Sequence, residues 1–180
     1  MESNPWQTLD SKIVYENPWI RVREDQILTP RGKPGIYGVV EAGVSVGAVA
    51  ITESNEVVVV GQYRYPIQSY SWEIPLGGAH KKETPIEAIR RELHEETGFT
   101  AKHWTPLSGE IHLSNCISNE RAYLFLAQGL EPTQAVPDEA EVISQKLMPF
   151  SEALNKISRG EICDALSIIG ILQTARQLRL

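Results

Sequence analysis

The sequence predicts an α+β fold or a mixed α/β sandwich, preceded by a β-rich arm. Three observations point there. Strand-forming runs broken by turn residues fill most of the N-terminal part of the chain. Only three segments carry helical patterning, and they alternate irregularly with extended ones. That is unlike the steady strand–helix repeat of a doubly wound sheet. At 180 residues the chain has room for one domain with a small appendage. We divide it into an arm, residues 1–42, and a main domain, residues 43–180.

In the arm, KIVY, WIRVRED and IYGVV supply strand formers, and ENP and TPRGKPG supply the breaks. VSVGAVAIT (44–52) and EVVVVGQYRY (56–65) follow, separated by the turn ESN. The second is apolar enough for a buried central strand. YSWEIP (70–75) is a short strand, and WTPLSGEIHL and RAYLFLAQGL are extended. PTQAVPDEAE (132–141) is a proline-bearing acidic loop, and VISQKLMPF is a last strand. SEALNKISRG and ICDALSIIGILQTARQL are helical, the first capped by Ser151 and closed by Gly160.

The remaining helix lies in GGAHKKETPIEAIRRELHEETGF (77–99). Thr84 is placed to cap it, Pro85 suits its first position and Glu87 completes a capping box. Gly98 ends it as a left-handed cap. Ile86, Ile89 and Leu93 share one apolar stripe. Glu92, Glu95 and Glu96 fall on a single arc beside that stripe. Like charges at this spacing repel, and half-burial raises the cost, unless a cation sits among them. Arg91 relieves part of the repulsion by pairing with Glu95. Oxygen-only ligands of this kind suit Mg²⁺ or Mn²⁺ rather than zinc. The same acids would also serve as an ordinary solvated face.

The spacing decides between these readings. Gly77, Glu83, the run Arg91-Glu92-Leu93, then Glu95-Glu96 and Gly98-Phe99 resemble the complete signature of the Nudix hydrolases. A chance match in one chain is roughly less than one in a million. The likeness is specific over these residues and looser over 44–180. It implies the α+β fold of the Nudix α/β/α sandwich, a mixed central sheet flanked by helices with an antiparallel β arm before it, and metal-dependent cleavage of a diphosphate linking a nucleoside to another group. It further implies metal ligands at Glu92, Glu95, Glu96 and the Leu76 carbonyl. Arg91 and Glu83 would orient those acids, and Gly77 would permit a close-approaching turn. A late loop supplies the base in related enzymes. Here that loop offers Glu141 first, Glu139 second, and Asp138.

QYRYP (62–66), WEIPLGG (72–78) and the β-rich arm resemble the ADP-ribose and nucleotide-sugar pyrophosphatases. By that likeness Arg64 contacts the diphosphate or distal sugar, and Glu73 reaches the base or ribose. Trp19 and Tyr37 of the arm occupy the places of base-stacking aromatics in dimeric relatives. The expectation is a homodimer through the arm, whose exposed apolar face a second copy would bury. One departure stands out. Many ADP-ribose enzymes carry a proline where this chain has Asn115, which favours a broader nucleoside diphosphate sugar activity. His112, Ser114 and Asn115 would then shape the sugar pocket. The alternatives are another Nudix substrate, such as a dinucleoside polyphosphate or oxidised nucleotide, and a non-catalytic nucleotide-sugar sensor.

Composition constrains the partners. The formal charge is −6, which argues against long nucleic acid and anionic membranes. The segment MESNPWQTLDSK lacks a basic-then-apolar leader, and no apolar run reaches a membrane span. Two cysteines, Cys116 and Cys163, are too few for a disulfide framework. We expect a cytoplasmic protein with a small-molecule substrate.

Overall fold

Alternation along β4 (Val44–Ala50) decides the layering. Val46, Ala48 and Ala50 join a buried cluster with Ala88, Ile89 and Leu93 of helix α1 (Pro85–Thr97). The intervening residues face the other way: a Cβ at Gly170 of α3 (Ala165–Leu178) would lie 3.0 Å from Val49 Cγ2. Side chains alternate across a strand, so one helix covers each face of β4. This is the α/β/α sandwich that the Nudix resemblance implies. Burial on both faces is why β4 is apolar from Val46 to Ala50 instead of alternating.

The computed structural model describes residues 3–133 and 143–180. The chain forms two units: one runs up to Gly43 and includes His112–Arg121, the other comprises Val44–Ile111 and Ala122–Leu180.

In the first unit β1 (Gln7–Glu16), β2 (Ile20–Leu28) and β3 (Pro34–Ala42) make an antiparallel sheet in sequence order. Asn17 turns the chain between β1 and β2, its Oδ1 accepting from the N–H of Trp19 at 2.9 Å and of Ile20 at 2.8 Å. The strand expected over KIVY extends to ten residues, all of them exposed. Residues 112–121 return to β3, where Val40 N–H donates to Ile117 O at 2.8 Å.

In the second unit one sheet runs β7 (Leu76–Gly78), β4, β10 (Arg121–Pro132), β8 (Phe99–Pro106). Another runs β11 (Ser144–Pro149), β5 (Glu56–Arg64), β6 (Ser69–Glu73). Val57–Val60 of the middle strand β5 are buried. A two-residue strand, β9 (Ile111–His112), follows β8.

Two expectations need correction. The extended run around WTPLSGEIHL starts earlier, at Phe99, because Gly98 closes α1 at φ 66° and the chain turns directly into β8. Ser151 does not cap α2 (Phe150–Ser158): it lies inside the first turn, and no side chain caps this helix. The buried Phe150 sets the start instead, its N–H donating to Asn55 O at 2.9 Å, while Pro149 ends the preceding strand.

Candidate active site

Helix α1 carries the acids, and its ends are fixed as the sequence implies. Thr84 and Glu87 form the reciprocal capping box, Pro85 takes the first position, and Gly98 is the left-handed cap. Hydrogen bonding to Thr84 holds the Glu87 carboxyl below the usual carboxylate range. Ala88, Ile89, Leu93 and Thr97 are buried, while Ile86 packs half-buried against the same core. That anchoring turns Glu92, Glu95 and Glu96 toward one edge of the helix, half-buried.

Three residues of α1 meet three consecutive residues of β7. Glu96 Oε2 accepts from Leu76 N–H at 3.1 Å. Glu92 fills the space where Gly77 lacks a side chain, so that a Cβ there would run into its carboxyl group. Arg91 Nη2 donates to Gly78 O at 3.0 Å. Only glycine fits at position 77. We predict that Gly77→Ala drives Glu92 out of place and lowers kcat about 100-fold, the scale of a misplacement near 1 Å. Steady-state kinetics beside circular dichroism checks this, with the helical signal unchanged.

Arg91 ties the acids together. Its Nη1 donates to Glu92 Oε1 at 2.8 Å and Glu95 Oε2 at 2.9 Å, while Nε and Nη2 fork onto Glu83 at 3.1 and 3.0 Å. Glu83 also accepts from His80 N–H at 2.8 Å. The Arg91 hydrogen bonds hold the Glu83 carboxyl below the usual range, and Glu83 in turn raises the proton affinity of Arg91. The neighbouring Arg90 turns to the other flank of the helix, over the Trp104 ring at 5.8 Å. It lines a cavity of about 450 Å³ with Pro85, Ile86, Tyr123 and Phe125, which includes none of the glutamates.

Arg64 and Glu73, read from the sequence as separate substrate contacts, pair with each other. The Arg64 Nε lies 3.0 and 3.1 Å from the two Glu73 oxygens, and Nη2 also donates to Glu73. Glu73 is buried, and this hydrogen bonding raises the proton affinity of Arg64, with Asp164 and Glu96 adding to it through space. The pair therefore stands in the field of Glu96.

In the first unit Trp19 is 80% exposed. Tyr37 OH donates to Cys116 O at 2.8 Å, and its ring meets Trp6 edge-on. Asn115 is exposed in a turn. Asp138, Glu139 and Glu141 lie outside the described residues. Sequence reasoning passed over Asp164 and Ser167 at the start of α3. The Asp-x-x-Ser spacing signals a helix cap, but the contact that Ser167 makes is with a residue 93 positions away.

The donor set fits a divalent cation. It is all oxygen, it lies on one helix edge, and Gly77 leaves room for it. Among the described residues no three acidic, His or Cys side chains converge as a ready-made cage, because Glu92 and Glu95 close on Arg91.

Comparison with known proteins agrees. Residues 41–165 match the NUDIX domain, and residues 6–40 match the nucleoside diphosphate sugar hydrolase N-terminal domain. The chain belongs to the NUDIX family, and it is a pyrophosphohydrolase. Members of that family generally need a divalent metal. The chain is similar to the methanol dehydrogenase activator of Bacillus methanolicus, 29% identical with 92% of this chain and 90% of the relative covered. It is also similar to the ADP-ribose pyrophosphatase of Mycobacterium tuberculosis, 30% identical with 96% and 84% covered. A solved structure described as an ADP compounds hydrolase shares the fold, with a TM-score of 0.88 at 20% identity over 99% of this chain and 97% of that one. No helix among the described residues is long and apolar enough to cross a membrane.

Proposed function

We propose that this chain hydrolyses the pyrophosphate bond of nucleoside diphosphate sugars, ADP-ribose and ADP-glucose among them, with Mg²⁺ as its metal and Mn²⁺ as a substitute. The products are a nucleoside monophosphate and a sugar phosphate. The observation that carries this is the meeting of Glu96, Glu92 and Arg91 with Leu76, Gly77 and Gly78. The match of residues 6–40 and the name of the mycobacterial relative support the substrate class.

Hydrolysis adds water across the P–O–P bridge. The water oxygen bonds to one phosphorus, the bridging oxygen leaves with its electron pair on the other phosphate, and a base takes the water's proton. Glu92, Glu95, Glu96 and the Leu76 carbonyl would hold the metal, which would supply neutralisation of the diphosphate charge. Arg91 and Glu83 keep the acids gathered, as an outer shell does. Glu73 holds the Arg64 plane, leaving Nη1 for the diphosphate or distal sugar. Glu141 is the base we assign, with Glu139 and then Asp138 next. Trp19 and Tyr37 stack on the nucleobase, and Asn115 shapes the sugar pocket.

The arm, residues 1–42, serves dimerisation and substrate contact, and residues 43–180 carry the chemistry. Leu9, Ile13, Val14 and Tyr15 stand exposed along β1, apolar side chains that a second copy would help to cover. Light scattering should return twice 20.1 kDa for the native chain, and a lower mass for Ile13→Asp. A cytoplasmic setting accords with the exposed free thiols of Cys116 and Cys163.

The test is a panel of ADP-ribose, ADP-glucose, GDP-mannose and UDP-glucose with Mg²⁺ or Mn²⁺, resolved by chromatography. Cleavage of at least one to the two monophosphates supports the reading; an intact panel with both metals overturns it.

A further inference from the structure

We infer that Ser167 and Asp164, at the start of α3, are positioning residues for the reaction, because they fix the segment Glu73-Ile74-Pro75-Leu76. The inference rests on the reading of the Leu76 carbonyl as a metal ligand.

Ser167 is fully buried. Its Oγ lies 2.8 Å from Asp164 Oδ2, which also accepts from the Ser167 N–H at 2.7 Å. An ionised carboxylate only accepts, so the hydroxyl proton goes to Asp164. The hydroxyl oxygen then accepts from Ile74 N–H, at 3.0 Å. Asp164 thus caps the helix and also aims the hydroxyl.

The rest of the segment is gripped in the same manner. The Ile74 side chain, fully buried, passes between two glycines: a Cβ at Gly47 or Gly170 would lie 3.2 or 3.3 Å from its Cδ1. Pro75, with its fixed φ, accepts from Ala48 N–H at 2.9 Å. The Leu76 N–H then goes to Glu96, and the Glu73 carboxylate to Arg64. The segment that leads into the Leu76 carbonyl is therefore held from one side by α1, through the Leu76 N–H, and from the other by α3, through the Ile74 N–H. Without Ser167, Ile74 N–H loses its partner in a buried place, where an unmade hydrogen bond is costly, and the segment relaxes toward another donor geometry.

The experiment compares wild type, Ser167→Ala, Asp164→Ala and Asp164→Asn. Mn²⁺ affinity is measured by electron paramagnetic resonance of the free ion, and kinetics with ADP-ribose are measured below the melting range. Outer-shell changes cost about 10–100-fold in metal affinity or activity. We expect Ser167→Ala near the lower end, with weaker Mn²⁺ binding, lower kcat and KM little changed. Asp164→Ala, at the half-buried start of the helix, should move the same way by less and serves if the Ser167 variant does not fold. Asp164→Asn keeps an oxygen acceptor and should stay within about three-fold of wild type, as capping Asn does for Asp. Wild-type Mn²⁺ affinity and kcat in both alanine variants, with only a lower Tm, would assign the pair to fold stability and overturn the inference while leaving the proposed function standing. A wild-type chain that binds no Mn²⁺ overturns both.

Discussion

Glu96→Gln is expected to lower kcat on the order of 10²–10³-fold, the cost of removing one preorganised electrostatic group, without weakening the fold. The glutamine oxygen still accepts from Leu76 N–H, so the bond that Glu96 makes to β7 survives. Only the charge is lost. Glu92 lies four residues before it on the same helix, where like charges cost a few tenths of a kcal/mol, so Tm should hold or rise slightly. Kinetics with Mg²⁺ and a thermal melt on one preparation check both parts. A clear fall in Tm with activity retained would make Glu96 a structural residue.

Arg91→Ala should damage both fold and catalysis. One guanidinium serves Glu83, Glu92, Glu95 and the Gly78 carbonyl. Its removal leaves the carboxylates of Glu83, Glu92 and Glu95 without the counter-ion they share. Stranding the partners of a buried pair costs several kcal/mol. These side chains keep 15–35% of their exposure, so solvent screening brings the cost to about 2 kcal/mol. That corresponds to roughly 4–8 °C in Tm for a chain of this size. The pH dependence carries a sign. The Arg91 hydrogen bonds hold the folded Glu83 carboxyl below its ordinary value of 4.5. The stabilisation is therefore complete above that value and is lost as pH falls through the folded pKa. The gap in stability between wild type and variant should be widest above about pH 5 and narrow on acidification; melts across that range measure it. Mn²⁺ should recover more Tm in the variant than in wild type, because a divalent ion replaces the missing cation among the acids. Arg91→Lys should not restore the native state, since an ammonium cannot fork onto Glu83 while reaching two further carboxylates.

Local rules carried much of this fold. The cap residues of α1 lie within a few positions of what they bind, and so do the alternation of the strands and the breaks at Asn17 and Gly98. Each is readable from neighbours in the chain. The acidic arc was legible because helical geometry alone puts Glu92, Glu95 and Glu96 on one edge. Partnerships between distant segments were not. Arg64 and Glu73 each carry a motif, and nothing local says that they neutralise one another across β5 and β6. The start of α2 followed the burial of Phe150 and its bond to Asn55 instead of the nearby serine. Ser167 reads as a polar residue in the apolar first half of α3 until Ile74 is set against it.

On the proposed function, the edge of α1 facing β7 is a metal-dependent site for cutting a nucleoside diphosphate sugar. The most direct measurement is ³¹P nuclear magnetic resonance of ADP-ribose incubated with the native chain and Mg²⁺, with a parallel sample in excess chelator. The diphosphate signals should give way to two monoester resonances, AMP and ribose 5-phosphate, only where the metal is free. Diphosphate signals that persist with Mg²⁺ and with Mn²⁺, or that vanish equally in chelator, would contradict that function.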